Sequence, residues 1–276
     1  MDIRRLDMNG VVAEACCDND LTKRSPATEE ERTWLRAAEI KAEWLRGMMP
    51  RGLSAQIAYE GSEAVGFIEY MPIELSIFHA GSDLYVVNCL VAPHTPPWGE
   101  ATHERIPGCG SALVRAMMED VRGSCKGIVT PLGFAYTEDM SGFFARFGFE
   151  QFENQGLKML IKRFQPVELP LPVPRKKRCH SPRVPGKVVV DVFWCSKCPA
   201  SPYTLLNVRD VCGELGDRVV LNEFRIDDRA ALAEHGAPSG AFVNGEYPWS
   251  TYGPLDKKEI RDVLRKALEQ GEAAPE

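Results

Sequence analysis

The 276-residue sequence has no apolar run near the roughly 20 residues that a helix needs to cross a bilayer. Its start, MDIRRLDMNG, lacks the apolar core of a secretion signal. We therefore expect a soluble, cytoplasmic protein that does not contact membranes. Positive charge is scarce as well, because the formal net charge is -6 and the one dense basic run is RKKR at 175–178. Nucleic-acid binding requires clustered positive charge, so we expect no such partner and interpret the run as a solvated linker.

A second absence concerns disulfides and metals. Nine cysteines, an odd number, occur in a chain that is long enough to bury a core. In a reducing compartment this predicts core thiols and one reactive pair, not a disulfide framework. A zinc ribbon would need a second ligand pair, and only Cys179 and His180 precede Cys195 and Cys198 at related spacing. We therefore expect no bound metal.

The chain divides at a proline-rich stretch, QPVELPLPVPRKKRCHSPRVPG, which has six prolines and no apolar periodicity. Such a stretch continues neither a helix nor a central strand, so it predicts an extended connector over 166–186. The flanking segments, 1–165 and 187–276, are then separate domains. Their formal charges are -6 and -4, and the connector carries +4.

The first segment alternates helix and strand patterns. A helical spacing of apolar residues covers 29–49, and two apolar runs separated by Glu60-Gly61-Ser62 predict a hairpin. LYVVNCLVA, 84–92, is nearly continuously apolar and predicts a strand that is buried on both faces. A helix over 108–121, three further strands and a short helix complete a mixed α/β order.

The second segment has its own set of elements. KVVVDVFWC predicts a strand, 199–215 a helix, RVVLNEFRI a strand, and SGAFVNGEYPW a strand with an Asn-Gly turn. The last helix is well defined, since Asp256 and Glu259 have the spacing of a capping box. Leu255 can pack on Ile260 as the accompanying hydrophobic staple. The fold class predicted for the whole chain is α/β.

A glycine-containing loop lies between the apolar strand and its following helix. Free N–H groups at a helix start bind phosphate oxygens, and glycines let a ligand approach the backbone closely. The loop lacks the three glycines and the later acidic residue of a dinucleotide fingerprint. By spacing alone, a tight strand-to-helix connection explains the two glycines equally well.

The loop, Arg105-x-x-Gly108-x-Gly110-x-Ala112, together with FFARFGFE at 143–150, resembles the GNAT family of N-acetyltransferases. The resemblance implies a mixed sheet in which the strand before the loop splays from its neighbour and admits acetyl-coenzyme A. Backbone groups of Leu90 and Val91 would then hold the pantetheine arm. The resemblance assigns the pyrophosphate to the backbone of the loop: Arg105, Ile106, Pro107, Gly108, Cys109, Gly110, Ser111 and Ala112.

Two departures from the family affect the chemistry. Phe144 stands where the family often has a tyrosine that protonates the leaving thiolate, and Tyr136 is a candidate substitute acid or simply a surface residue. The connection VAPHTPPWGEATHERIPG is longer than the family's and lies where the acceptor would bind, which makes Trp98 and His103 candidate substrate contacts. The candidate bases are His94, since histidine titrates near neutrality, and Glu69 on the neighbouring strand. The histidines could equally be ordinary loop residues, and Glu69 could face solvent.

The motif Trp194-Cys195-Ser-Lys-Cys198 follows a strand and precedes a helix. A helix N-terminus favours the thiolate, so we expect Cys195 to be the nucleophile and Cys198 its resolving partner. With GAPSGAFVNG at 236–245, the segment resembles the thioredoxin-like fold, which implies that Pro238 is cis and faces the sulfurs. The whole order resembles acetyltransferases that carry a YoaP-like C-terminal domain.

These patterns predict an acetyl-coenzyme A dependent N-acetyltransferase for a small amine or amino-thiol, with a dithiol domain for thiol handling or redox control. The alternatives are a coenzyme A-binding sensor of oxidants or soft metals, and a thiol-disulfide oxidoreductase. The sequence leaves the oligomeric state open, a homodimer included.

Overall fold

The computed structural model describes residues 1–7, 26–92, 106–133, 139–176, 180–238, 240–249 and 253–272. The chain divides into two units. Unit 1 comprises Met1–Lys23 and Leu45–Val173, and unit 2 comprises Arg24–Trp44 and Pro174–Glu276.

Unit 1 is built on a seven-stranded sheet in the order β1-β2-β3-β5-β6-β8-β7. Its strands are β1 (Asp2–Arg5), β2 (Ser54–Glu60), β3 (Glu63–Pro72), β5 (Leu84–Val91), β6 (Gly127–Pro131), β7 (Glu150–Asn154) and β8 (Leu157–Arg163). β5 and β6 are parallel, and every other neighbouring pair in this sheet is antiparallel. The mixed α/β class predicted from the sequence is confirmed.

Helix α2 (Cys109–Val121) covers one face of this sheet. Its apolar residues Leu113, Val114 and Met117 are fully buried against the strands. A polar contact fixes the far end of the helix, because the Tyr70 hydroxyl of β3 donates to Asp120 over 2.6 Å. The short helix α3 (Ser141–Ala145) packs its Phe144 into the same cluster. The N-terminus of α2 therefore has a fixed position beside β5.

Unit 2 contains a three-stranded sheet in the order β11-β10-β12, formed by β10 (Val188–Trp194), β11 (Val219–Arg225) and β12 (Gly240–Val243). β11 is parallel to β10, and β12 is antiparallel to it. The helices are α4 (Ala200–Leu215), α5 (Arg229–His235) and α6 (Lys257–Glu272). Glu259 N–H donates to Asp256 and Asp256 N–H to Glu259, so the predicted capping box of α6 is present. Within the described ranges, no helix is long and apolar enough to span a membrane.

Helix α1 (Glu29–Met48) belongs mainly to unit 2, although the sequence places it in a 1–165 domain. Trp34 packs edge-to-face on Tyr203 of α4 at 5.2 Å, and Ile40 packs against the unit 2 core. Lys257 of α6 forms ion pairs with Glu29 and with Asp210 of α4. The periodicity of an amphipathic helix shows which of its residues are apolar, but it does not show which partner covers them. For this reason the sequence did not assign α1 to unit 2, and the division into units differs from the expected division after residue 165.

We predict that Trp34→Ala destabilises unit 2 by about 3–5 kcal/mol, since it removes a large buried aromatic ring. Hydrogen exchange should then speed up in peptides from β10 and α4 and stay unchanged in peptides from β6 and β8. Glu39→Ala, at an exposed position of the same helix, serves as the control. Faster exchange confined to unit 1 peptides would contradict this assignment of α1.

The predicted connector 166–186 is held at both ends. β9 (Leu171–Pro172) pairs with β4 (His79–Ala80), and Val173 N–H donates to the Phe78 carbonyl over 2.9 Å, so the first part belongs to unit 1. Further along, Ser181 N–H donates to the buried Asp191 carboxylate of β10 over 2.8 Å. A proline-rich segment can still form hydrogen bonds through its carbonyl groups and through the N–H groups of its other residues. Composition alone therefore does not show that such a segment is held in place.

Candidate functional site

The parallel strands β5 and β6 are in register for only three residues, from Leu84 opposite Gly127 to Val86 opposite Val129. β5 then continues to Val91 with register partners on β3 alone. The strand before the glycine loop therefore diverges from its neighbour, as the resemblance implied. Among the described residues, β5 therefore has no register partner on the β6 side beyond Val86.

A β-bulge marks the point where the gap opens. Tyr70 is opposite Val87 and Glu69 is opposite Cys89, so Asn88 is the extra residue of β5. Its Nδ2 is buried and has no hydrogen-bond partner among the residues that the structure describes. Burying an amide donor without an acceptor is costly, which favours a ligand acceptor at this point. The sequence reasoning missed Asn88, although an amide within a nearly continuous apolar strand was a signal.

The N-terminus of α2 is open. Gly108 is its N-cap and supplies no side-chain cap, and in the described part of the chain the N–H groups of Gly110 and Ser111 donate to no backbone carbonyl. The first turn of α2, which is fully described, has no acidic residue, whereas α1 begins with Glu29, Glu30 and Glu31. Unpaired N–H groups and the helix dipole together favour an anion at this end.

Two glycines keep this end of α2 accessible. Gly108 has a φ of 85°, which side chains rarely adopt, and an added Cβ there would meet no atom of the described residues within 4 Å. At Gly66 of β3 an added Cβ would lie 2.7 Å from the Val91 carbonyl oxygen and 3.3 Å from Cys109 Sγ. Gly66 therefore allows the end of β5 and the start of α2 to pack closely on β3.

Glu69 lies on β3 opposite Cys89, and its exposed fraction is 0%. Ile68 and Tyr70 face the α2 cluster, so alternation directs Glu69 to the other face of the sheet. The alternative that Glu69 points to solvent is thereby excluded. The backbone of Glu69 lies one strand spacing, roughly 5 Å, from β5, the strand that borders the gap.

Cys109 is not an accessible loop thiol. Its exposed fraction is 1%, and burial, with a contribution from Glu60, raises the pKa of the thiol to about 11. The thiol is therefore protonated at neutral pH and packed inward. Only the backbone of Cys109 is suited to contact a ligand at this loop.

Phe144 is completely buried, with ring centroids 5.1 Å from Phe143 and 5.2 Å from Phe149. Phe143 lies at the loop, since an added Cβ on Gly110 would be 3.4 Å from its Cζ. The aromatic cluster thus supports the open end of α2 and offers no acidic group there. Five predicted site residues lie outside the described residues: His94, Trp98, His103, Arg105 and Tyr136.

The dithiol motif of unit 2 differs from the expectation in two respects. Cys195 is 7% exposed, and burial raises the pKa of its thiol to about 11, so it is not the activated thiolate that was predicted. The reason is distance, because α4 begins only at Ala200 and a helix dipole acts within about one turn. The Ala237–Pro238 bond is trans, the form favoured even before proline, so the cis geometry predicted for Pro238 is wrong.

After the predicted Asn-Gly turn, Glu246 forms a single bridge with Val243. The turn itself is present, with Asn244 at a φ of 51° and Gly245 at 85°. In the described ranges, no group of three or more His, Cys, Asp or Glu side chains is placed to hold a metal ion.

No protein-family model and no curated protein matches the chain. Among solved structures, the chain is similar to a GNAT family acetyltransferase from Brucella melitensis in complex with acetyl-CoA. The two sequences are 17% identical, the match covers 61% of this chain and 90% of that chain, and the TM-score is 0.39. It is also similar to the aminoglycoside 6'-N-acetyltransferase from Enterococcus faecium, with 17% identity, coverage of 61% and 99%, and a TM-score of 0.37. The PaiA N-acetyltransferase from Thermoplasma acidophilum in complex with coenzyme A has 15% identity, coverage of 59% and 99%, and a TM-score of 0.36. At these values we base the function on the geometry of the chain itself.

Proposed function

We propose that unit 1 is an N-acetyltransferase that binds acetyl-coenzyme A and acetylates a small amine or amino-thiol. The observation that carries the proposal is the divergence of β5 from β6, which opens next to the uncapped N-terminus of α2. A ligand with a long polar arm and a diphosphate fits these two features together.

The diphosphate end would be held by the backbone of 106–112. The N–H groups of Gly110 and Ser111 are unpaired within the described chain, and the left-handed Gly108 leaves open space in front of them. Two or three such donors at a helix start form a pre-organised anion site. Arg105, next in the chain, would add positive charge.

The pantetheine arm would lie along 87–91 of β5. Its amide groups can continue the hydrogen bonding that β6 gives up beyond Val129. Asn88 Nδ2 is the buried donor that such an arm would satisfy. Leu90 and Val91 would contribute backbone groups, as the resemblance implies.

Bound acetyl-coenzyme A would supply an activated acetyl thioester. The acceptor amine has to be neutral when it attacks, so the enzyme needs a group that takes its proton. We assign this role to Glu69, directly or through a water molecule, because it is a carboxylate on β3, the strand next to the one that borders the gap. His94, which lies outside the described residues, is a second candidate.

A further prediction concerns the missing tyrosine. Since the ring of Phe144 is fully enclosed, Phe144→Tyr should not raise the acetylation rate. The added hydroxyl should lower the free energy of unfolding by about 1–3 kcal/mol, because it is buried in a packed apolar cluster. Steady-state rates and chemical unfolding measure both effects, and Phe147→Tyr, at a half-buried position, is the control. A tenfold gain in rate would mean that position 144 reaches the departing thiolate.

We further propose that unit 2 is a thioredoxin-like domain that handles thiols. The strand order β11-β10-β12, with Cys-x-x-Cys directly after the central strand, supports this.

The proposed acetyltransferase activity is tested by incubating the protein with acetyl-coenzyme A and each of a panel of amines and amino-thiols. The coenzyme A that is released is measured by chromatography. We expect release that depends on at least one amine. Binding of acetyl-coenzyme A without turnover on any amine would favour a coenzyme A-binding sensor instead.

A further inference from the structure

The two thiols of the Cys-x-x-Cys motif are not equally accessible. Neither thiol is part of a disulfide, but Cys195 is buried at the end of β10 whereas Cys198 is only half-buried. A disulfide in solution can therefore approach Cys198 more readily than Cys195. In thiol-disulfide exchange, access of the attacking sulfur and its thiolate fraction together set the rate.

Hydrogen bonds hold the turn so that Cys195 stays inside. Cys195 N–H donates to Ser201 Oγ of α4 over 3.0 Å. Next to it, Ser196 donates twice to the Asp227 carboxylate, from its N–H over 2.7 Å and from its hydroxyl over 2.9 Å. Arg225 donates to the same carboxylate over 2.6 Å and to Ser196 Oγ over 3.0 Å. These bonds fix the Cys195–Ser196 segment on both sides, to α4 and to the end of β11.

The chemistry of the two sulfurs differs accordingly. Burial raises the pKa of Cys195 to about 11, and the charge of Cys198 contributes in the same direction, while Lys197 opposes it. Burial therefore makes Cys195 a poor nucleophile, and a negative charge on Cys198 adds to this effect. Once Cys198 is joined to another sulfur, that charge is gone and Cys195 is easier to deprotonate.

We propose that unit 2 reduces disulfides through attack by Cys198, with Cys195 as the buried resolving thiol, which reverses the order that the motif and its resemblance suggest. The proposal does not depend on acetyl transfer in unit 1. Its substrate is a disulfide R–S–S–R′ small enough to reach a half-buried sulfur.

The exchange balances in two steps. The Cys198 thiolate attacks one substrate sulfur, so that the Cys198–S bond forms, the S–S bond breaks, and R′–S⁻ leaves and takes up the proton that Cys198 lost. Cys195 then loses its proton and attacks Cys198 Sγ, which forms the Cys195–Cys198 disulfide and releases R–SH. The two protein thiols are oxidised, and the substrate disulfide is reduced to two thiols.

Glutathione disulfide is a suitable probe, with peptide mass spectrometry of the reduced full-length chain to locate adducts. We expect Cys195→Ser to accumulate a stable glutathione adduct on Cys198, because the resolving thiol is missing. At neutral pH, Cys198→Ser should form an adduct on Cys195 at least ~10-fold more slowly than Cys195→Ser forms its adduct on Cys198. The unchanged protein should proceed to the Cys195–Cys198 disulfide.

Faster labelling of Cys195 in Cys198→Ser than of Cys198 in Cys195→Ser would overturn the proposed order. Absence of adducts together with an unoxidised pair in the unchanged protein would overturn disulfide reduction altogether. If a serine variant does not fold, the unchanged protein is exposed briefly to glutathione disulfide and quenched with acid. A first mixed disulfide on Cys198 supports the proposed order, and one on Cys195 overturns it.

Discussion

Glu69→Gln is expected to lower kcat for acetyl transfer by about 100-fold or more, the usual contribution of a positioned general base. Glutamine keeps the shape of the side chain but cannot take the proton of the attacking amine. Because Glu69 is completely buried beside β5, we expect the substitution to affect the reaction of a bound acceptor and not the binding of the coenzyme. The measurement is kcat and KM at saturating acetyl-coenzyme A, and we expect KM for the coenzyme to stay within about threefold.

The matched control is Glu153→Gln, which makes the same chemical change at an exposed position of β7 in the same unit. It should change kcat by less than twofold. Glu69→Asp should recover part of the activity, because it restores a carboxylate at a slightly shorter reach. If Glu69→Gln retains full kcat while remaining folded, the base lies elsewhere, with His94 as the next candidate.

Ser111→Glu is expected to weaken the binding of acetyl-coenzyme A by roughly 10- to 100-fold, since it places a negative charge where the diphosphate would be held. The same substitution should leave helix α2 as stable as before or slightly more stable, because acidic residues in a first turn interact favourably with the helix dipole. Loss of affinity without loss of stability therefore separates a binding role from a structural one. Binding is measured by titration calorimetry, and stability by thermal unfolding.

Ser124→Glu is the control for that experiment. It introduces the same side chain just beyond the other end of α2, where Ser124 N–H donates to the Val121 carbonyl. Affinity for the coenzyme should be unchanged, and stability should fall slightly, the reverse of the effect at Ser111. Equal affinity losses in the two variants would indicate a general effect of charge and would contradict a diphosphate site at 106–112.

The elements that follow from local periodicity could be predicted. The β2–β3 hairpin, helix α2 and the capping box of α6 depend on side chains within one or two turns of each other, so the sequence contains the information. β5 was predicted to be buried on both faces, and it is so only in part. Its later residues, Asn88 and Cys89 among them, are half-buried because β6 turns away after Val129. A divergence between two strands is a tertiary feature, and alternation along one strand cannot show it.

The candidate site was predictable where it depends on the backbone and less so where it depends on side-chain packing. The helix start after Gly108 followed from the residues, whereas an anion site there was implied by the resemblance alone. The burial of Cys109 and Cys195 did not follow from the residues, because a short motif fixes the position of a sulfur in the chain but not its surroundings. For the same reason, the placement of α1 on unit 2 required knowledge of Tyr203 and Lys257, which lie far away in the sequence.

Titration of the unchanged protein with acetyl-coenzyme A in a calorimeter tests the central claim most directly. We expect saturable binding of one coenzyme molecule per chain, and competition by coenzyme A. An absence of binding heat at several temperatures, with the protein folded, would mean that the gap between β5 and β6 and the start of α2 do not form a coenzyme site, and the proposed acetyltransferase function would be wrong.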